Sequence, residues 1–339
     1  MVKMRYYVAR RLLLSLVVLF GVSVITFTIA RVIPSEPAAM WIGFRATREQ
    51  IEKARVELGL DKPLYVQYYR YMLSLLQGDW GVSIRTHAPV LRDIATFLPA
   101  SLELILTGLV MALVVGLPLG VISAVRKNTP ADHGARLLAI GGVSIPTFWL
   151  GMMLQLLFFR ILGILPVAER LDPSIELTFT RVTGFYLLDA LITRNLPALQ
   201  SAATHIILPA LTLAAYPLGL TTRMIRATMM EVMSEDYIRT SRAYGIPERV
   251  VRYSYALKNA VGPTITVLPL TFAYALVETF LIEAVFRWPG LGRYASIAII
   301  SADYPAIIGV TILIAITYIV LNLAADLIHA SLDPRIQLR

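Results

Sequence analysis

Apolar stretches of about 20 residues, long enough to cross roughly 30 Å of hydrocarbon as helix, alternate along this chain with polar segments. They fall at 12–30, 102–125, 137–165, 205–222, 264–286 and 306–328. The pattern predicts six spanning helices and an all-α integral membrane protein, since a helix satisfies its backbone N–H and C=O groups internally. Lys3, Arg5, Arg10 and Arg11 precede the first run, as they would in a secretory leader. That run is too long for a leader and ends in Arg31-Val32-Ile33-Pro34 instead of a small-residue cleavage site. It reads as a retained first span.

The polar segments differ in kind. In 31–100, Thr47 to Gln50 forms a capping-box pattern, and Ile51, Ala54 and Leu58 make an apolar stripe that Gly59 ends. Pro63 opens a second helix rich in tyrosine (Tyr65, Tyr68, Tyr69, Tyr71), closing at Gly78. Such tyrosines could form a ligand surface, but packing against the membrane face is their commoner use. Segment 166–204 has mixed charge and no motif. The segment 233–263 is a basic island. Ser234 is a candidate N-cap, and Tyr237, Ser241 and Tyr244 share a helical face. Gly245 suits a left-handed C-cap, and Pro247 opens a second helix that runs to Gly262-Pro263.

Basic residues orient the spans. Four lie in 1–11, three in 126–136, seven in 223–263 and two in the tail, against Arg287 and Arg293 in the turn 287–304. Positive-inside counting therefore places both termini and the island in the cytosol. The chain is 57% hydrophobic, with a mean hydropathy of +0.68, outside the range of a soluble domain. Absence of cysteine excludes disulfides and thiolate metal sites. The net charge of +9 discriminates little, because cytosolic Lys and Arg facing anionic lipid produce it in many membrane proteins.

The island carries a family resemblance. Asp236-Tyr237-Ile238-Arg239-Thr240-Ser241-Arg242-Ala243-Tyr244-Gly245, followed by Ala256-Leu257-Lys258-Asn259-Ala260, resembles the coupling loop of ABC-importer permeases in the dipeptide/oligopeptide/nickel branch. Four further stretches are similar: Leu58 to Pro63, Gly78 to Ser83, Ser144-Ile145-Pro146-Thr147-Phe148-Trp149-Leu150-Gly151, and Trp288-Pro289-Gly290-Leu291-Gly292-Arg293. The closing Leu332-Asp333-Pro334-Arg335 is similar too, whereas Tyr244 stands where the branch usually carries Lys. The resemblance covers the whole chain. It implies a type I importer fold in the subunit with the long first extracytoplasmic loop. That divides the chain into a cytosolic start and first span (1–30), an extracytoplasmic helical loop (31–100) and a core permease domain (101–339) with the coupling loop at 234–262.

It also implies a multi-pass protein of the cytoplasmic (inner) membrane in contact with lipid, half of a pathway for peptides or similar small solutes. Its partners would be a second homologous permease, two ABC ATPases and an extracytoplasmic binding protein. Asp236, Tyr237, Arg239, Thr240, Ser241, Arg242, Tyr244 and Gly245 would engage an ATPase. Oligosaccharide or nickel cargo is the alternative, because the receptor largely sets that choice.

Other chemistry is sparse. No glycine is followed by lysine, so the phosphate-cradling GK[ST] is missing and ATP with Mg²⁺ would bind partner ATPases, with no cofactor on this chain. His87, His133, His205 and His329 are scattered, and neither HExxH nor a nucleophile elbow occurs, so neither an enzyme nor a metal site is supported. A DNA-reading helix–turn–helix is disfavoured by tethering to spans at both ends, so no nucleic-acid partner is expected. A secondary transporter or channel would often show inverted repeats and broken helices, and neither is legible. Glu103, Arg160 and Glu283 near span ends are expected to snorkel to water. Glu278 lies deeper, and together with Gln155 it is a candidate for the substrate pathway; Glu278 could equally neutralise a basic group on another helix.

Overall fold

The computed structural model describes residues 2–32, 38, 42, 46–57 and 59–332. Its helices, in chain order, start with Val2–Val32, Arg48–Glu57, Leu64–Leu76, Val90–Val125 and Pro130–Ser144. Thr147–Leu154 follows with a π-helical continuation Gln155–Ile161, then Pro173–Glu176, Tyr186–Ile192, Leu196–Val232 and Asp236–Ala243. Glu248–Val250, a π-helical Val251–Leu257 and Lys258–Ala260 lead to Gly262–Val285, Leu291–Ile300 and Tyr304–Leu332. Five of these are long and apolar enough to cross a membrane, and a bent pair supplies a sixth candidate. Pro34, Leu58 and the terminal Asp333-Pro334-Arg335 lie outside the described residues.

The third span departs from expectation. Pro130–Ser144 and Thr147–Ile161 meet at 112° instead of forming one rod over 137–165. The break sits at Ile145-Pro146. Proline has no N–H to donate and crowds an α-helical predecessor, and Ile145 accordingly adopts φ −86° and ψ 130°. The expectation that no helix is broken is thereby overturned. Pro209 and Pro217, by contrast, lie inside the unbroken Leu196–Val232. That helix runs roughly 55 Å at 1.5 Å per residue, well past the predicted 205–222. The stretch after Trp288 holds a further helix, Leu291–Ile300, where the sequence suggested only a turn.

The described residues form two compact units, one comprising residues up to 99 with 289–319, the other 100–288 with 320–332. In the first, the capping box forms as read: Thr47 N–H donates to Gln50 Oε1 at 2.8 Å and Gln50 N–H to Thr47 Oγ1 at 3.3 Å. The tyrosine helix splits its roles. Tyr68 and Tyr71 pack on Phe27 with ring centroids 5.3 and 6.0 Å apart, while Tyr65 and Tyr69 stay exposed. Tyr294 stacks on Phe97 and donates to Asp93 Oδ2 at 3.0 Å.

The second unit is built around Leu196–Val232, which packs on Pro130–Ser144, Thr147–Leu154 and Gly262–Val285. Its approach to Val90–Val125 needs glycine, since a Cβ on Gly120 would stand 2.7 Å from Ile225 Cβ. Thr222 Oγ1 donates across that seam to Gly116 O at 3.3 Å. Segment 166–204, unassigned from sequence, has its own core of Leu171, Phe179, Tyr186, Ala190, Ala198 and Ala202.

Two acidic residues are corrected here. Glu103 and Glu283 do not reach solvent; both are buried. Glu103 pairs with Arg170 and accepts from Leu187 N–H at 2.8 Å, while Glu283 accepts from Ser101 Oγ. A buried carboxylate persists only where donors compensate its lost hydration, and 166–204 together with the start of the second span supplies them. Arg160 is exposed.

Candidate docking site on the polar island

The island is a short exposed helix held down by one apolar contact. Asp236–Ala243 has its N-cap at Glu235, not at the expected Ser234, whose Oγ donates back to Glu231 O at 2.7 Å. Asp236 in the first turn and Arg242 in the last match the helix dipole. Ile238 is fully buried, in one cluster with Val121, Ala124, Ile225, Met229, Val251, Ala256 and Ala260. Those residues come from the ends of Val90–Val125 and Leu196–Val232 and from the segment after the turn. Burying one isoleucine contributes about 1.5–3 kcal/mol, enough to orient an eight-residue helix that would not form alone.

The turn is a complete Schellman motif. Gly245 has φ +73°, its N–H donates to Arg242 O at 2.9 Å, and Ile246 N–H donates to Ser241 O at 3.2 Å. Pro247 is the N-cap of the next helical segment, one residue short of the predicted first position. That segment is not uniformly α-helical; its centre, Val251–Leu257, is π-helical.

Polar clamps fix the two arms. Glu248 accepts from Arg242 Nε at 2.7 Å and from Arg252 Nε at 3.0 Å. The Arg242 guanidinium, with Arg252 beside it, holds the Glu248 carboxyl below its usual range. These pairs are half exposed, so each adds at most about 1 kcal/mol. Asn259 Nδ2 donates to Tyr237 OH at 2.9 Å, and Thr228 Oγ1 donates to Ala260 O at 2.9 Å. Glu248 was missed from sequence, although Glu248 and Arg252 stand at ion-pair spacing i,i+4.

Most of the residues named above for ATPase contact face outward. Tyr244 is 83% exposed, Tyr237 42%, and Asp236, Arg239, Thr240 and Arg242 are exposed. Ser241 is half buried and returns its hydroxyl to Tyr237 O at 2.7 Å. The result is a rigid knob of aromatic and hydrogen-bonding groups, chemistry suited to docking. Among the described residues no group of His, Asp and Glu could hold a metal ion.

Gln155 and Glu278 are not part of this knob. Gln155 opens the π-helical stretch and donates to Val167 O at 2.8 Å and Val285 O at 3.2 Å. Glu278 lies half buried within Gly262–Val285, with no hydrogen bond or ion pair among the described residues.

Comparison with known proteins agrees with this architecture. Residues 116–338 match the model of the binding-protein-dependent transport system inner membrane component, and residues 4–105 match the N-terminal model of such membrane components. A probable D,D-dipeptide transport system permease protein of Escherichia coli (strain K12) is 48% identical, with 94% of each chain covered. A dipeptide transport system permease protein of Alkalihalophilus pseudofirmus is 38% identical over 98% of this chain and 99% of its own. A glutathione transport system permease protein of Escherichia coli (strain K12) is 35% identical over 98% of both. This chain belongs to the binding-protein-dependent transport system inner membrane components, the multi-pass permeases of ABC importers, in their dipeptide/oligopeptide branch.

Proposed function

We propose that this permease carries peptides across the inner membrane and that its island, 234–262, is the cytosolic loop through which ATP hydrolysis drives transport. The observation that carries the coupling role is the knob itself, an exposed helix fastened through Ile238 to the ends of two spans. Force applied to Asp236–Ala243 passes into Val90–Val125 and Leu196–Val232 through packed side chains, with no flexible linker between. Peptide cargo is supported by the names of the relatives, among them dipeptide and di/tripeptide permeases.

On this reading both termini are cytosolic, 1–30 holds the first span, 31–100 is the extracytoplasmic loop and 101–339 the core. A second permease completes the pathway, an extracytoplasmic binding protein delivers the solute, and two ATPases bind ATP and Mg²⁺. Closure of the ATPases pushes on Tyr237, Ser241 and Tyr244, and the paired permeases switch from inward- to outward-facing. The bent pair Pro130–Ser144 and Thr147–Ile161 is the one feature that favours an ATP-independent transporter, and dependence on an ATPase separates the two.

Gly245→Val tests the coupling role. A Cβ there meets no atom within 4 Å, so the variant is disfavoured by backbone strain alone, about 1–2 kcal/mol. Insertion of the spans and receptor binding are expected to survive, while ATPase capture in a pull-down and receptor-stimulated hydrolysis are lost. Normal capture with normal uptake would remove the assignment. For sidedness, a single cysteine at Ser241 must resist an impermeant thiol reagent added outside.

A further inference from the structure

At the end of Val90–Val125 an open groove of about 220 Å³ is lined by Val121, Ile122, Val125, Arg126, Arg252 and Tyr253. A neighbouring groove of about 380 Å³ is lined by Arg249, Val250, Tyr253 and Ser254, so Tyr253 forms a wall of both. The floor and the rim differ chemically. Ile122 and Val250 expose 41% and 38% of their surface, and Ile122 lies on the last turns of a membrane-spanning helix. The rim carries three guanidinium groups. Arg252 engages Glu248, whereas Arg126 and Arg249 are exposed and their guanidinium groups make no hydrogen bond or ion pair with any described residue.

We propose that these joined grooves bind the headgroup of an anionic phospholipid, its phosphate on Arg126 and Arg249 and its upper acyl chain along Ile122 and Val125. Charge complementarity selects the occupant. Guanidinium donors suit phosphate oxygens, and an apolar floor continuous with a span suits an acyl chain rather than water. A lipid supplies both in one molecule, and Tyr253 has the amphipathic ring favoured at such boundaries. The inference rests on Val90–Val125 spanning the membrane. It does not depend on the coupling role of Asp236–Ala243 or on which face of the membrane the island occupies.

The test uses the full chain in its assembled complex, in nanodiscs of equal phosphatidylglycerol and phosphatidylcholine. Native mass spectrometry after detergent exchange reads the lipid retained. Phosphatidylglycerol should be held in preference to phosphatidylcholine, and Arg126→Gln with Arg249→Gln should cut that preference roughly tenfold or more. Both side chains are exposed, so an unchanged thermal midpoint will show that the double variant folds. Equal retention of the two lipids by the native chain overturns the proposal. So does undiminished phosphatidylglycerol on the double variant, and if that variant instead loses ATPase capture, the grooves dock protein.

Discussion

Arg226 closes on Asp132 with two hydrogen bonds, Nε to Oδ1 at 2.8 Å and Nη2 to Oδ2 at 3.0 Å, tying Leu196–Val232 to Pro130–Ser144. Asp132 is fully buried and also accepts from Ser123 Oγ and from Asn128 N–H. One carboxylate thus gathers two spans and a loop beside the island. Removing it orphans four donors from three residues and leaves Arg226 largely buried without its counter-charge, a loss of about 3–5 kcal/mol. Asp132→Ala should sharply lower the thermal midpoint of the solubilised chain. Arg226→Lys, which keeps the charge but not the fork, should fall between. An Asp132→Ala midpoint equal to the native one would show that the pair holds nothing together.

The island separates fold from docking in two substitutions. Ile238→Ala removes a fully buried side chain and should destabilise the local packing by about 2–5 kcal/mol. Tyr244→Ala removes one that is 83% exposed and should leave stability within about 0.5 kcal/mol. Only the second should lose ATPase capture at an unchanged thermal midpoint. Full ATPase capture by Tyr244→Ala would take this ring out of the docking surface.

These residues also mark what a sequence can and cannot disclose. Spans were legible because apolar run length is a local property, and so were the capping box at Thr47 and the left-handed turn at Gly245. Glu103 and Glu283 were not, because burial depends on partners. Arg170 and Ser101 lie 67 and 182 positions from the carboxylates they serve. The break at Ile145-Pro146 had a local cause in plain view, yet Pro209 and Pro217 have the same cause and sit in an unbroken helix. Whether neighbours satisfy the freed carbonyls decides between the two, and that is a tertiary matter. The π-helical Val251–Leu257 has no pattern of its own in the chain.

Asp189 makes a pH-dependent contribution. It is fully buried, and Oδ1 accepts from Thr183 N–H and Oγ1 while Oδ2 accepts from Val182 and Gly184 N–H, at 2.6–3.1 Å. Burial alone would raise its pKa, but these four donors outweigh it and hold the carboxyl below its usual range. A group depressed on folding stabilises fully above its unfolded pKa of about 3.9 and loses that contribution as pH falls through the folded value. Amides 182–184 should therefore be protected from hydrogen exchange near neutral pH and lose protection only as pH falls below the ordinary carboxylate range. Asp189→Asn turns an NH₂ toward two donors and should abolish protection at every pH, at a cost on the order of 2 kcal/mol. Protection indifferent to both changes would mean the turn is held by something else.

Glu278 offers the sharpest division between structural and transport roles. It lies half buried within a spanning helix, where an ionisable group is costly and normally has a partner or a water-filled cavity. No described residue of this chain bonds to it. Under the proposed function a cavity role remains, on the pathway that a second permease would complete. Glu278→Gln keeps shape and hydrogen bonding and removes the charge. Had it paired a buried cation, the variant would lose several kcal/mol and the complex would melt early or fail to assemble. On a solvated pathway it should lose less than about 0.5 kcal/mol, as substitutions outside packed or paired sites do. Uptake of the native solute should change nonetheless, because the field along the pathway changes. The paired measurements are the thermal midpoint of the assembled complex and solute uptake in proteoliposomes. An early-melting complex, or unaltered uptake by a stable one, would each exclude Glu278 from the pathway.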